Sequence, residues 1–363
     1  MIPIAQPLID KAEKDKVLEV LDSGMLASGE YVSEFEKKVA EFIGTRYGIA
    51  TSSGTSALQV ALKAAGIKKG DKVLTTPFTF IASSNSILYC EAEPVFVDVK
   101  KDTYNIDPEQ IRKKLEQNPD IKALLIVHLY GLACDMDKIM DLVKKYNLVL
   151  IEDCAQAHGA EFEGQKAGSF GDVGIFSFYP SKNMTTGEGG IIVTSTPSIK
   201  DKARMFIDHG SNQKYNHEIL GYNFRMTNIA AAIGIKQLEK LNKFNQIRRK
   251  NAAYFTEELK GIDQIEPPAY EENKKHVFNL YTMKVKNRDR MVASFEKNGI
   301  GYGIYYPEPI YRQTLYVSRG YNNLNLEVTE TLCREVISIP VHPGLDSKDK
   351  KKIVEVIKNC SFS

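Results

Sequence analysis

Between about residues 47 and 154 the chain switches repeatedly between short apolar runs and longer segments whose apolar residues recur every three or four positions. The runs "YGIATSS", "DKVLTTP", "EPVFVDV", "ALLIVHLYG" and "LVLIEDCA" are rich in Val, Ile and Leu rather than strictly alternating, whereas "ALQVALKAAG", "SSNSILYC", "PEQIRKKLEQ" and "DMDKIMDLVKKYN" carry helical spacing. Strands that are apolar on both faces are expected where helices cover both sides of a mostly parallel sheet. The alternation of strand and helix predicts that α/β architecture. Ligands of such sheets gather beyond the carboxyl ends of the strands.

Further along, "DVGIFSF" and "GGIIVTS" predict a strand pair joined by a loop that contains Lys182, followed by the helix "SIKDKARMFIDHG". The helical pattern from Asn228 through "QIRRKNAAYFTEEL" is too long for one ordinary globular helix, which predicts a break or bend and a connector between domains. Beyond it, "VFNLYTMKV", "DRMVASFEKNG", the loop "YYPEPIYRQTLY" and "KDKKKIVEVIKNC" predict a small α/β unit. A chain of 363 residues exceeds the roughly 100 to 200 that one core serves. The expected division is a large domain over 1–240, with an N-terminal helical segment, and a smaller C-terminal domain over 241–363.

Charge adds an exclusion. With 48 basic against 46 acidic residues the net charge is +2, which gives no electrostatic footprint for nucleic acid or an anionic membrane. Cys90, Cys134, Cys154, Cys333 and Cys360 are scattered without a C-x-x-C pair, so neither a disulfide framework nor a zinc site is suggested and no metal is expected. The opening residues "MIPIAQPLIDKAEKDK" lack the apolar run of a signal peptide, and no window approaches the ~18 apolar residues of a membrane span. The expectation is a cytoplasmic protein.

Lys182 lies just after a predicted buried strand and just before Gly187, Gly189 and Gly190. A lone lysine is ordinarily a solvated surface charge. In a partly desolvated pocket it has a lowered pKa and becomes a nucleophile toward carbonyls. "TTGEGG" is no phosphate loop of the G-x-x-x-x-G-K-[ST] kind, because its lysine precedes the glycines. If Lys182 holds an aldehyde cofactor, pyridoxal phosphate is the candidate, and the site then needs a carboxylate for the ring nitrogen and a cup for the phosphate. Glu152 and Asp153 end the strand "LVLIED", where an acid is either a ligand or a cap, with Gln156 and His158 close behind. "SSGTSALQVAL" opens a helix on Ser, Gly and Thr, which is either an ordinary N-cap or an anion site. Ser177 offers another hydroxyl, and Phe80 is a stacking face or a core residue.

Taken in order, "SGTSALQVAL", "TPFTFIASSNSILYCEAEPVFVDV", "HLYGLACDMD", "IEDCAQAHGA", "GSFGDVGIFSFYPSKNMTTGEGG", "GYNFRMTNIAAAIGIKQLEKL" and "ISIPVHPGL" resemble the DegT/DnrJ/EryC1/StrS family of nucleotide-sugar aminotransferases, pyridoxal phosphate enzymes of fold type I. The resemblance implies a large domain with a mostly parallel sheet and a smaller C-terminal α/β domain. It implies that Lys182 links to the cofactor aldehyde, Asp153 pairs with the ring nitrogen, Gln156 sits near the ring hydroxyl and Phe80 stacks on the ring. Gly54, Thr55 and Ser177 hold the phosphate, and Asn223 is lent by a neighbouring subunit, which makes the working unit a homodimer. His158, His209, Tyr306 and Tyr311 are candidates for the substrate face, Tyr311 standing where relatives often carry histidine. By the same resemblance L-glutamate gives its nitrogen to a nucleotide-linked keto-sugar, leaving 2-oxoglutarate, with pyridoxamine phosphate as the intermediate form of the cofactor. "TTGEGG" and "GYNFRMT" are similar to members that aminate C4 and "YPSKN" to the C3 group, with the 4-keto sugar favoured. Lys182 separates the chain from members that dehydrate sugars, where histidine takes its place. The alternatives are amination of a cyclic ketone such as an inosose, and a regulatory protein that binds the cofactor without turnover. Glu188 has no assigned role.

Overall fold

The protein is described here from a computed structural model, over residues 1–269 and 271–361. Seven strands form the central sheet: β1 (Tyr47–Thr51), β2 (Lys72–Thr75), β3 (Glu93–Phe96), β4 (Ile121–Val127), β5 (Val149–Asp153), β6 (Val173–Ser177) and β7 (Gly190–Thr194). Their order across the sheet is β1-β7-β6-β5-β4-β2-β3. Only β7 runs against the rest, antiparallel to both β6 and β1. The expected strand pair is thus β6–β7, with Lys182 in the connection between them.

Side chains along each strand alternate between two cores. Val173 and Ile175 of β6 face one that contains Ile49, Leu58, Ile151 and Ile192, under helix α3 (Gly54–Ala64). Phe176 points the other way, into a core with Ile191 of β7 and with Phe35, Val39 and Ile235 from α2 (Glu30–Ile43) and α4 (Asn228–Glu258). Both faces are covered, which is why the strands do not read as polar on one side.

The expected break in the long helix does not occur. α4 is continuous over 31 residues, capped by Thr227, whose side chain accepts from the Ala230 N–H. It contains no proline, and its one glycine, Gly234, admits Phe35: a Cβ there would lie 2.7 Å from the ring. The helix is packed along both halves. Its first half lies in the core of α2 and the sheet; its second half puts Ala252 and Phe255 into a separate core. That core belongs to an antiparallel sheet of β8 (Ile265–Glu266), β9 (Tyr281–Val285) and β10 (Val336–Ile339), with α5 (Arg288–Asn298) and α6 (Ser347–Lys358). Two later segments nevertheless return to the first half of the chain: Tyr311 and Tyr316 pack on Phe96 of β3, and Lys274–Lys275 pairs with Glu161–Phe162 in a small separate sheet.

Candidate active site

A cavity of about 540 Å³ opens at the carboxyl edge of the large sheet. Asp153 ends β5 and Ser177 ends β6, while the turn after β1 leads into α3. Period-two alternation sorts the two acids of "IED". Asp153 shares the face of Ile151 and lines the cavity. Glu152 points to the other face, fully buried, where it accepts from the N–H groups of Gly168 (2.8 Å), Phe170 (2.8 Å) and Gly171 (2.7 Å) and faces His128 Nε2 at 3.0 Å. The Cys134 N–H donates to His128 Nδ1 at 3.0 Å, so Nε2 carries the proton toward Glu152. His128, Glu152 and Cys154 lie within 4.8 Å of one another, but the Glu152 oxygens and both His128 nitrogens are already engaged, so the cluster ties the strand to the turn at 168–171.

Asp153 is 4% exposed. Its Oδ2 accepts from Ser83 Oγ at 2.7 Å and its Oδ1 from the Ala155 N–H at 3.0 Å. Burial pushes its pKa upward, while those two donors and the nearby Lys182 ammonium favour the carboxylate. Lys182 is half-buried in the same cavity; desolvation lowers its pKa, partly offset by Asp153. Gln156 lines the cavity too, its Oε1 accepting from the Tyr130 N–H at 2.7 Å and its Nε2 donating to Tyr306 Oη at 3.4 Å. Tyr306 is thereby held at the wall, with its phenol pKa raised by burial. Phe80 stands over the opening at 58% exposure, 6.4 Å from the Tyr306 ring.

The start of α3 is a cradle. The Ser53 side chain accepts from the Ser56 N–H, and among the described residues the N–H groups of Gly54 and Thr55 have no acceptor within the chain. A Cβ on Gly54 would lie 2.7 Å from the Ser177 Cβ, so glycine lets the helix start close against β6. From the other side, a Cβ on Gly190 would lie 2.3 Å from the Ser53 carbonyl oxygen. Within the β6–β7 loop the threonines serve the backbone: Thr185 Oγ1 donates to the Phe178 carbonyl (2.7 Å) and Thr186 Oγ1 to the Glu188 carbonyl (2.7 Å). The exposed Glu188 lies at the cavity wall.

His158, Tyr311 and His209 do not line the cavity, and neither does Asn223, whose expected place is in a neighbouring subunit's site. His158 is 2% exposed, with its ring 5.3 Å from Phe176 and 5.7 Å from Phe178 on the far side of the sheet; burial drives its pKa down to about 3. It is a core residue rather than part of a substrate face. Tyr311 is fully buried against Phe96, donating to Glu330 (2.9 Å) and accepting from the Leu326 N–H (3.2 Å). Its place after the "YPEP" turn suggested the site, but the turn delivers it to the outer edge of the sheet. His209 and Asn223 are exposed on one surface segment, where Asp208 and Asn223 form an isolated antiparallel bridge and the His209 N–H donates to the Tyr222 carbonyl at 2.8 Å. That segment is pinned beside the cradle, since the Phe224 carbonyl accepts from the Ser52 N–H at 2.8 Å. Conversely, Ile4, Ala5, Ser83, Asn279 and Tyr305 line the cavity without having been singled out. Ser83 was findable, one turn beyond Phe80. Ile4 and Ala5 arrive through contacts about 300 residues away in sequence, such as the Gly301 N–H to the Ile2 carbonyl (2.7 Å), and carry no local signal.

A model of the DegT/DnrJ/EryC1/StrS aminotransferase family matches residues 7–358. The chain belongs to this family. It is therefore a pyridoxal phosphate-dependent aminotransferase of fold type I. Among curated relatives it is similar to a "Pleiotropic regulatory protein" of Geobacillus stearothermophilus, 37% identical over 97% of both chains. It is also similar to the UDP-N-acetyl-3-dehydro-alpha-D-glucosamine 3-aminotransferase of Acidithiobacillus ferrooxidans, 38% identical over 95% of this chain and 94% of the relative. Among solved structures, S. venezuelae DesV in complex with a ketimine intermediate is 33% identical, with a TM-score of 0.93 over 98% of each chain. The cavity fits the family's cofactor on its own geometry. It offers two free N–H groups at a helix N-terminus for the phosphate, a buried carboxylate for the ring nitrogen, an uncovered aromatic face and a lysine of depressed pKa.

Proposed function

We propose that this enzyme transfers the amino group of L-glutamate to a nucleotide-linked keto-sugar, giving an amino sugar and 2-oxoglutarate. The observation that carries the reading is the placement of Lys182 and Asp153 on one cavity wall, beside the open start of α3. Bound pyridoxal phosphate supplies an electron sink for the carbanion at the substrate Cα. The Gly54 and Thr55 N–H groups and Ser177 Oγ bind the phosphate, and Asp153 keeps the ring nitrogen protonated, itself held by Ser83 and Ala155. Gln156 and Phe80 orient the ring. Lys182 would hold the cofactor's aldehyde carbon and, as a free amine, would move the proton between the substrate Cα and the cofactor C4′; its desolvation favours the neutral, basic form. Tyr306, at the wall beside Gln156, is placed for the substrate.

The sugar part of the acceptor is favoured by the named activity of the Acidithiobacillus relative. We assign the nucleotide to the mouth of the cavity, where Phe80 and Tyr179 are exposed. We assign that mouth to a second copy of the chain as well, which brings Asn223 to the neighbouring phosphate cup. The test is a matrix of 3-keto and 4-keto sugars on UDP, GDP and dTDP, each incubated with glutamate and read by product mass. One aminated sugar is expected, with the 4-keto series favoured. Amination of an inosose alone would replace the acceptor. No amine from any ketone, together with binding to another macromolecule, would favour a regulatory role, the reading suggested by the name of the Geobacillus relative.

A further inference from the structure

The residues on either side of Lys182 are held by one side chain. Asn279 Nδ2 donates to the Ser181 carbonyl at 3.2 Å and to Asn183 Oδ1 at 2.9 Å. Asn183 Nδ2 in turn donates to Asn245 Oδ1 at 2.7 Å and to the Val277 carbonyl at 3.0 Å. Asn245, on α4, donates to the His158 carbonyl at 2.7 Å. The segment that carries Asn279 is itself anchored: the Val277 N–H donates to the Gly131 carbonyl at 2.9 Å, and the Arg248 guanidinium donates to the Phe278 and Asn279 carbonyls, each at 3.2 Å.

All three amides are buried, at 3% exposure for Asn183 and Asn245 and 5% for Asn279. Burying an amide is unfavourable unless its hydrogen bonds are remade, whereas a connected network fixes one arrangement of the groups it joins. An apolar core at this point would give stability without direction. The amides instead join three elements at the root of the lysine: the β6–β7 loop, helix α4 and the segment leading into β9. Asn279 reaches the cavity wall, while Asn183 and Asn245 stand behind it.

We infer that Asn183, Asn245 and Asn279 are positioning residues that hold the backbone at 181–183 fixed while the Lys182 side chain moves. This rests on the proposed role of Lys182. The lysine would leave the cofactor as the donor amine replaces it, would move a proton, and would later return by displacing the product amine from the cofactor carbon, so that one C=N bond forms as the other breaks. A fixed root confines the amine to a short arc that contains both positions. Displacing a catalytic group by about 1 Å can lower a rate by roughly 10²-fold, so loosening the root slows each step that the amine performs.

The experiment uses the full-length protein and the variants Asn183→Ala, Asn279→Ala and the double variant. Pyridoxal phosphate is added to cofactor-free protein, and the rate constant for forming the lysine-bound chromophore is followed by absorbance. The donor half-reaction with L-glutamate is followed in single turnover. Each single variant is expected to lose about tenfold to a hundredfold in both saturating rates, with the half-saturating glutamate concentration within about threefold. The double variant is expected to lose no more than the worse single one, because both act through one network. Saturating rates within twofold of the unmodified enzyme, losses that multiply in the double variant, or an effect confined to half-saturation would each overturn the inference. If Asn183→Ala does not fold, Asn279→Ala decides by its chromophore-formation rate. If glutamate does not convert the unmodified enzyme, the same rate decides. Borohydride reduction of the unmodified enzyme separates the two levels: a cofactor fixed elsewhere than Lys182 removes the role assigned to the lysine, whereas a cofactor fixed on Lys182 with unperturbed variants removes only the clamp.

Discussion

Replacing Gly190 by alanine tests whether the cradle at the start of α3 is built by close approach of β7. Gly190 is the first residue of β7, and a Cβ there would sit 2.3 Å from the Ser53 carbonyl oxygen, 2.6 Å from its carbon and 2.8 Å from the Gly54 nitrogen. Ordinary contact begins at 3.4 Å, and the atoms in the way are backbone, so the turn and the strand must separate by about 1 Å. β7 is paired on both sides, to β1 and β6, so the Ser53–Gly54 turn is the part that gives. Overpacking of this kind costs about 1–3 kcal/mol. If the displacement falls on the Gly54 N–H, that corresponds to roughly a 5- to 150-fold weaker affinity for pyridoxal phosphate, at 1.4 kcal/mol per factor of ten. The assay is a spectroscopic titration of cofactor-free protein with pyridoxal phosphate, alongside melting of the cofactor-free and loaded forms. Gly190→Ala is expected to narrow the gap between the two melting temperatures as well as to weaken binding. Unchanged affinity and unchanged melting would refute the cradle.

Three further outcomes are expected. Asp153→Asn removes the anion that keeps part of the Lys182 population charged, so the pH midpoint for the reaction of cofactor-free protein with pyridoxal phosphate shifts downward; in both proteins it lies below the ordinary lysine value because desolvation dominates. An upward shift in Asp153→Asn would contradict the assignment. His158→Phe leaves the saturating rate within about twofold, because the ring packs against Phe176 and Phe178 in the core and does not line the cavity. In the unmodified protein the neutral His158 contributes stability that is lost as pH falls below the unfolded histidine value toward about 3, since the unfolded chain then binds the extra proton; pH-dependent melting of the variant shows a shallower acid limb. Tyr311→Phe lowers stability by about 1–2 kcal/mol, through loss of the bonds to Glu330 and Leu326, with little change in turnover; a large loss of turnover at unchanged stability would return Tyr311 to the substrate face.

What the sequence disclosed follows the range of the forces involved. The strands and the β6–β7 pair are visible because apolar runs and turn residues are local properties, and Asp153 is visible because a strand end is a definite place in an α/β sheet. Which of Glu152 and Asp153 faces the cavity depends on alternation along β5 and on the backbone N–H groups at 168–171, which are settled only by packing. The break expected in α4 does not occur, because length alone suggested it, whereas burial of its two halves in two cores keeps the helix whole. His158 was misplaced because "CAQAHG" follows Asp153 closely, yet the turn carries its ring to the far face beside Phe176. Asn183 lay in view next to Lys182, but its partners Asn245 and Asn279 are 62 and 96 residues away, so the network could not be read locally.

Borohydride reduction of the purified, cofactor-loaded enzyme followed by peptide mapping tests the central claim most directly. The account predicts a single phosphopyridoxyl group, on the peptide that carries Lys182, and none in Lys182→Ala. A group fixed to any other lysine, or loss of the label from an enzyme that still transfers nitrogen, would contradict it.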